Sequence, residues 1–85
     1  MEGKHVATLQ AVMAVPDRAI IAWRDIEALL VRLGAELTEG SGSRLRVSLN
    51  GVRAVFHRPH PRKEATKAMV RSVRRFLIEA GVQKP

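Results

Sequence analysis

The chain has 85 residues, no cysteine and a net charge of +7, enough for one hydrophobic core. A domain this short buries only about 60% of the surface its unfolded chain exposes, and without cysteine neither disulfides nor a cysteine-based zinc site can staple it. No apolar run approaches the roughly 20 residues of a membrane span, and Met1-Glu2-Gly3-Lys4-His5 lacks the apolar stretch of a leader, so a cytoplasmic protein without a membrane partner is expected.

The distribution of charge says more than its total. Residues 1–43 hold four Lys and Arg against six Asp and Glu, whereas residues 44–85 hold eleven against two. Positive charge concentrated in one half of a small chain points to a polyanion, nucleic acid above all.

Val6, Leu9, Val12 and Met13 recur at helical spacing ahead of Pro16, so residues 4–15 read as a short amphipathic helix. A turn over residues 14–18 follows. Trp23, Ile26, Leu29, Leu30 and Leu33 form a second helical stripe, with Gly34 placed to end it. Trp23 reads as a core residue rather than a platform for stacked bases. Residues 35–39 can make a short strand, and Gly40-Ser41-Gly42-Ser43 a tight flexible loop.

The clearest local signal is a hairpin. Arg44 to Leu49 alternates strictly, Asn50-Gly51 is the preferred two-residue turn, and Val52 to His57 resumes the alternation. A two-residue turn fixes the register, which sets Leu49 opposite Val52, Val47 opposite Ala54 and Leu45 opposite Phe56 on one face. The other face then carries Arg44, Arg46, Arg53 and His57 together. Arginines crowded on one sheet face repel each other unless an anion compensates them.

Prolines make Arg58-Pro59-His60-Pro61-Arg62-Lys63 rigid and non-helical, adding Arg58, Arg62 and Lys63 to the basic set. The last helix should run from an N-cap at Thr66 to Ala80, stopped by Gly81, with Met69, Val70, Val73, Phe76, Leu77 and Ala80 inward. Lys67, Arg71, Arg74 and Arg75 lie off that stripe. No phosphate-loop or dinucleotide-binding motif occurs. His57, His60 and His5 make a poor zinc set, because two prolines stiffen the loop and the third histidine is distant in sequence. No metal and no small-molecule cofactor is expected.

The order helix, short strand, Gly42-Ser43 loop, Asn50-Gly51 hairpin, Pro59-His60-Pro61 segment and basic helix Met69–Arg75 resembles the HicA family of toxins over residues 23–82. The resemblance implies an α+β fold like a double-stranded-RNA-binding domain: a three-stranded antiparallel sheet with two helices on one face. The residue pattern adds an extra N-terminal helix, so a single domain over 1–85 is expected, with 1–22 as a helical extension of a 23–82 core. The resemblance further implies a metal-independent endoribonuclease (an mRNA interferase), with mRNA as substrate and a HicB-like acidic antitoxin as partner.

At one position the chain departs from the family. The family's catalytic histidine follows its Gly-Ser, where this sequence has Arg44. A guanidinium stays charged and cannot act as a general base near neutral pH, although it can neutralise a phosphate bidentately. Two readings stay open. In one, cleavage uses a relocated site, with His57 as base, Arg44 on the phosphate and His60 or Lys63 as acid. In the other, the chain is a non-catalytic RNA-binding module, with Arg44, Arg46, Arg53, Arg58, Arg62 and Lys63 as the binding residues. A DNA-binding role for the last helix is weaker, because no second helix precedes it at turn spacing.

Overall fold

The computed structural model describes residues 3–17, 20–59 and 63–84. Helix α1, Gly3–Met13, turns Leu9, Val12 and Met13 inward, as the apolar spacing dictates. A two-residue strand β1, Ile21–Ala22, leads straight into helix α2, Trp23–Arg32. Helix α2 ends in paired backbone bonds, from Ala35 N–H to the Leu30 carbonyl and from Gly34 N–H to the Val31 carbonyl, each at 3.0 Å. That closure needs a left-handed residue, and Gly34 supplies it at φ +94°.

Strands β2 (Glu36–Glu39), β3 (Arg44–Leu49) and β4 (Val52–His57) form an antiparallel sheet in the order β2-β3-β4. The hairpin register is the one the alternation demands: Leu45 faces Phe56, Val47 faces Ala54 and Leu49 faces Val52. Asn50 and Gly51 both take positive φ, 51° and 82°, the signature of a type I′ turn whose twist matches the strands. Asn50 does more than turn the chain. Its Nδ2 donates to the Ala80 carbonyl at 2.8 Å, tying the hairpin tip to the end of the last helix.

That helix, α3, spans Lys67–Glu79, with the Thr66 side chain accepting from Met69 N–H at its start. It closes as α2 does, Val82 N–H bonding the Leu77 carbonyl at 2.9 Å around Gly81. Ahead of it, strand β5 (Glu64–Ala65) pairs antiparallel with β1, and Trp23 N–H donates to the Lys63 carbonyl at 2.8 Å. The sequence reading assigns no element to these places, which lie between its turn over 14–18 and the second helix and between its proline segment over 58–63 and the last helix. Strands of two residues are too short to alternate, so they leave no periodic trace.

The fold is thus α+β, with α2 and α3 covering one face of the three-stranded sheet and α1 packed on both helices. One core cluster joins Leu9, Val12 and Met13 of α1 to Ile26, Leu29 and Leu30 of α2, Leu45 and Val47 of the sheet, and Val73 and Leu77 of α3. Trp23, Phe56 and Phe76 stack edge to face through it, with ring centroids 6.0 and 5.8 Å apart. The Arg74 Nε donates to the Val12 carbonyl at 2.7 Å, and its Nη2 meets Asp17 at 2.5 Å, so α1 is both packed and pinned. Among the described residues no helix is long and apolar enough to cross a membrane.

Candidate nucleic-acid interface

Burying one face of the sheet exposes the other. In β3 the pattern is strict: Leu45, Val47 and Leu49 are buried, Arg44 and Arg46 are exposed, and Ser48 is half-buried. In β4, Arg53, Val55 and His57 point to the same outer side. Cross-strand pairing aligns these groups in rows. Arg44 stands opposite His57; Arg46 lies between Val55 and Thr38; Ser48 lies between Arg53 and Glu36. A shallow concavity of about 550 Å³ runs over the middle of this face, lined in part by Glu36, Thr38, Arg46, Ser48, Arg53 and Val55.

Among the described residues, no hydrogen bond or ion pair engages the guanidinium of Arg44, Arg46 or Arg53. The loop before β3 holds Arg44 closely. Gly40 N–H donates to the Arg44 carbonyl at 2.9 Å, and a Cβ at Gly40 would come within 3.1 Å of the Arg44 Cβ. Only glycine lets the backbone approach this closely without displacing Arg44.

The basic residues following β4 have different fates. Arg58 grips two carboxylates bidentately. Its Nε and Nη2 donate to Glu27 at 2.7 and 3.1 Å, and its Nη1 and Nη2 donate to Glu39 at 2.6 and 2.8 Å. Four of its five N–H donors are therefore engaged. The indole N–H of Trp23 also donates to Glu27. The Arg58 hydrogen bonds hold the Glu39 carboxyl below its usual range and push the Arg58 pKa up, the Glu39 bond contributing most to the latter. The Arg58 backbone N–H meets the Ser43 carbonyl at 2.9 Å. Arg58 thereby fastens the end of the hairpin, next to Arg44 and His57, to α2 and β2.

Lys63 is exposed, and with Ala22, Trp23, Arg24, Arg58, Pro59 and Glu64 it lines a separate hollow of about 530 Å³. His60 and Arg62 lie outside the described residues. The structure thus unites Arg44, Arg46, Arg53 and His57 on one face, occupies Arg58 in an internal clamp, and sets Lys63 beside the start of α2. Among the described residues no three His, Asp or Glu are grouped to hold a metal ion.

Sequence reasoning missed Glu36 and Thr38 as members of the outer face. The short strand there was legible, but its register against β3 was not. It also missed Glu27 and Glu39 as partners of Arg58; the acidic balance of the first half was the only signal that such pairs exist.

A family model described as HicA toxin of bacterial toxin-antitoxin matches residues 23–82. No curated protein and no solved structure matches the chain.

Proposed function

The chain belongs to the HicA toxin family of bacterial toxin–antitoxin systems, and from that premise we propose that it binds mRNA across the outer sheet face. The observation that supports this reading is the set of three unengaged guanidiniums, Arg44, Arg46 and Arg53, on one exposed face with His57 opposite Arg44. Phosphates, like the carboxylates that Arg58 grips, match guanidinium forks bidentately, and an exposed cationic face with a shallow concavity can track the backbone of a single strand.

Cleavage on this face would proceed without a metal. His57 takes the proton of a ribose 2′-hydroxyl, whose oxygen attacks the adjacent phosphorus. The phosphorus–O5′ bond breaks, leaving a 2′,3′-cyclic phosphate, and the departing oxygen receives a proton from His60. Arg44 neutralises the charge that develops on the phosphorane. A HicB-like acidic antitoxin laid over Arg44, Arg46 and Arg53 would silence the site by competing for its charge. Arginine at the family's histidine position favours a second reading, a non-catalytic RNA-binding module with the same fold.

The test is total mRNA incubated in EDTA with wild type, Arg44→Ala and His57→Ala, followed by fragment analysis. Cleavage by wild type that is lost in both variants supports the relocated site. Intact RNA bound in a salt-sensitive manner supports the non-catalytic module. No binding to RNA at all refutes both.

A further inference from the structure

Glu36 is the one carboxylate among the described residues on an otherwise cationic sheet face. It lines the same concavity as Arg46 and Arg53, is exposed, and its carboxylate has no hydrogen bond or ion pair among the described residues. An anion here repels phosphate, so it weakens backbone binding. A carboxylate is, however, the acceptor needed to read a base edge that offers donors.

The row Glu36–Ser48–Arg53 sets the carboxylate and a guanidinium on opposite sides of a small hydroxyl. With strands about 4.8 Å apart, their backbones stand roughly 10 Å from each other. Arg46 lies one row along the same face, between Thr38 and the exposed Val55, which provides an apolar patch beside the charges. Guanine is the unmodified base whose edge presents two adjacent donors, N1–H and the N2 amino group, to a bidentate carboxylate. Its O6 and N7 are at the same time the acceptors that arginine prefers. Adenine and cytosine offer one amino group each, and the N3–H of uracil sits between carbonyls that a carboxylate repels.

We infer that this concavity is a guanine-reading subsite, in which Glu36 accepts from N1–H and N2–H and Arg46 or Arg53 donates to O6 and N7. The inference rests on the RNA-binding reading of the same face and adds a base preference to it.

The full chain would be titrated by fluorescence anisotropy with an all-uridine 2′-O-methyl dodecamer and with dodecamers in which one central uridine is replaced by guanosine, inosine, adenosine or cytidine. The 2′-O-methyl group blocks cleavage, so binding alone is read. Wild type should bind the guanosine oligomer at least about fivefold more tightly than the others, inosine included, because inosine lacks the N2 amino group. Glu36→Gln should erase that preference and tighten binding to the all-uridine oligomer. Equal affinity for guanosine and inosine in wild type would overturn the subsite, as would a preference that survives Glu36→Gln. Absence of binding to every oligomer would overturn the sheet-face reading itself, and this subsite with it.

Discussion

Helix α1 lies outside the stretch that matches the family, yet it supplies Leu9, Val12 and Met13 to the common core. Leu9→Ala tests whether that contribution is structural. Leu9 is 3% exposed, and truncating a leucine so buried costs about 2–5 kcal/mol through lost transfer energy and the cavity left behind. A chain of this length has about 4–13 kcal/mol of total stability at the usual per-residue value, so one substitution in α1 removes a sizeable share. Trp23, the chain's single tryptophan, is buried against Phe56 rather than within α1, and its fluorescence therefore reports the family-like core. In a urea titration, with a slope of about 1 kcal/mol per molar for a small domain, the Trp23 transition should move down by about 2 M or more in Leu9→Ala. The exposed Gln10→Ala control should leave it within about 0.5 kcal/mol of wild type. If Leu9→Ala lost helical circular dichroism while the Trp23 transition stayed in place, α1 would be an appendage and the reasoning would fail.

Arg58→Ala separates a clamp from a phosphate contact. Removing a contact residue such as Arg44 should reduce the slope of log affinity against log salt by about 0.7 for single-stranded RNA, whereas Arg58→Ala should lower the melting temperature and weaken RNA binding with the slope unchanged. A slope reduced as much as in Arg44→Ala would return Arg58 to the binding set. The Asp17 carboxyl is held below its ordinary value of 3.8, chiefly by the Arg74 hydrogen bond and then by the charges of Arg74, Arg71 and Lys67, against a smaller desolvation cost than that bond. The folded state therefore binds fewer protons at Asp17 than the unfolded chain, so the stabilisation is full above the unfolded value and lost as pH falls through the folded one. Melting curves taken from neutral pH downward should show Asp17→Asn less stable near neutrality and shallower in its acid decline; parallel acid limbs for the two proteins would exclude that linkage.

What the sequence disclosed depended on how local the cause was. The β3–β4 register follows from strict alternation and an Asn-Gly turn within 14 residues, Arg44–His57, and side-chain period alone then decides which residues share a face. The α3 limits follow from a threonine cap and a terminal glycine. Strand β2 was legible as a strand, but its partner is joined through a flexible Gly-Ser loop that sets no register from sequence. For that reason Glu36 went unplaced. The Arg58 clamp spans 31 positions to Glu27 and 19 to Glu39; no periodicity connects residues so far apart.

Net charge was a coarser guide than position. The acidic first half and basic second half suggested a dipolar surface, but part of that asymmetry is spent inside the fold. Asp17 meets Arg71 and Arg74, and Glu27 and Glu39 meet Arg58. These pairs hold the segment after α1 to α3 and the hairpin end to α2 and β2, so three arginines of the basic half serve to join the halves. The three arginines on the outer sheet face have no such partners among the described residues. Surface ion pairs elsewhere add little to stability, and removing these three should add none to the fold's cost while stripping its hold on a phosphate chain. Location on a solvent-facing strand, rather than the sum of +7, is the reason for proposing this face as the binding surface.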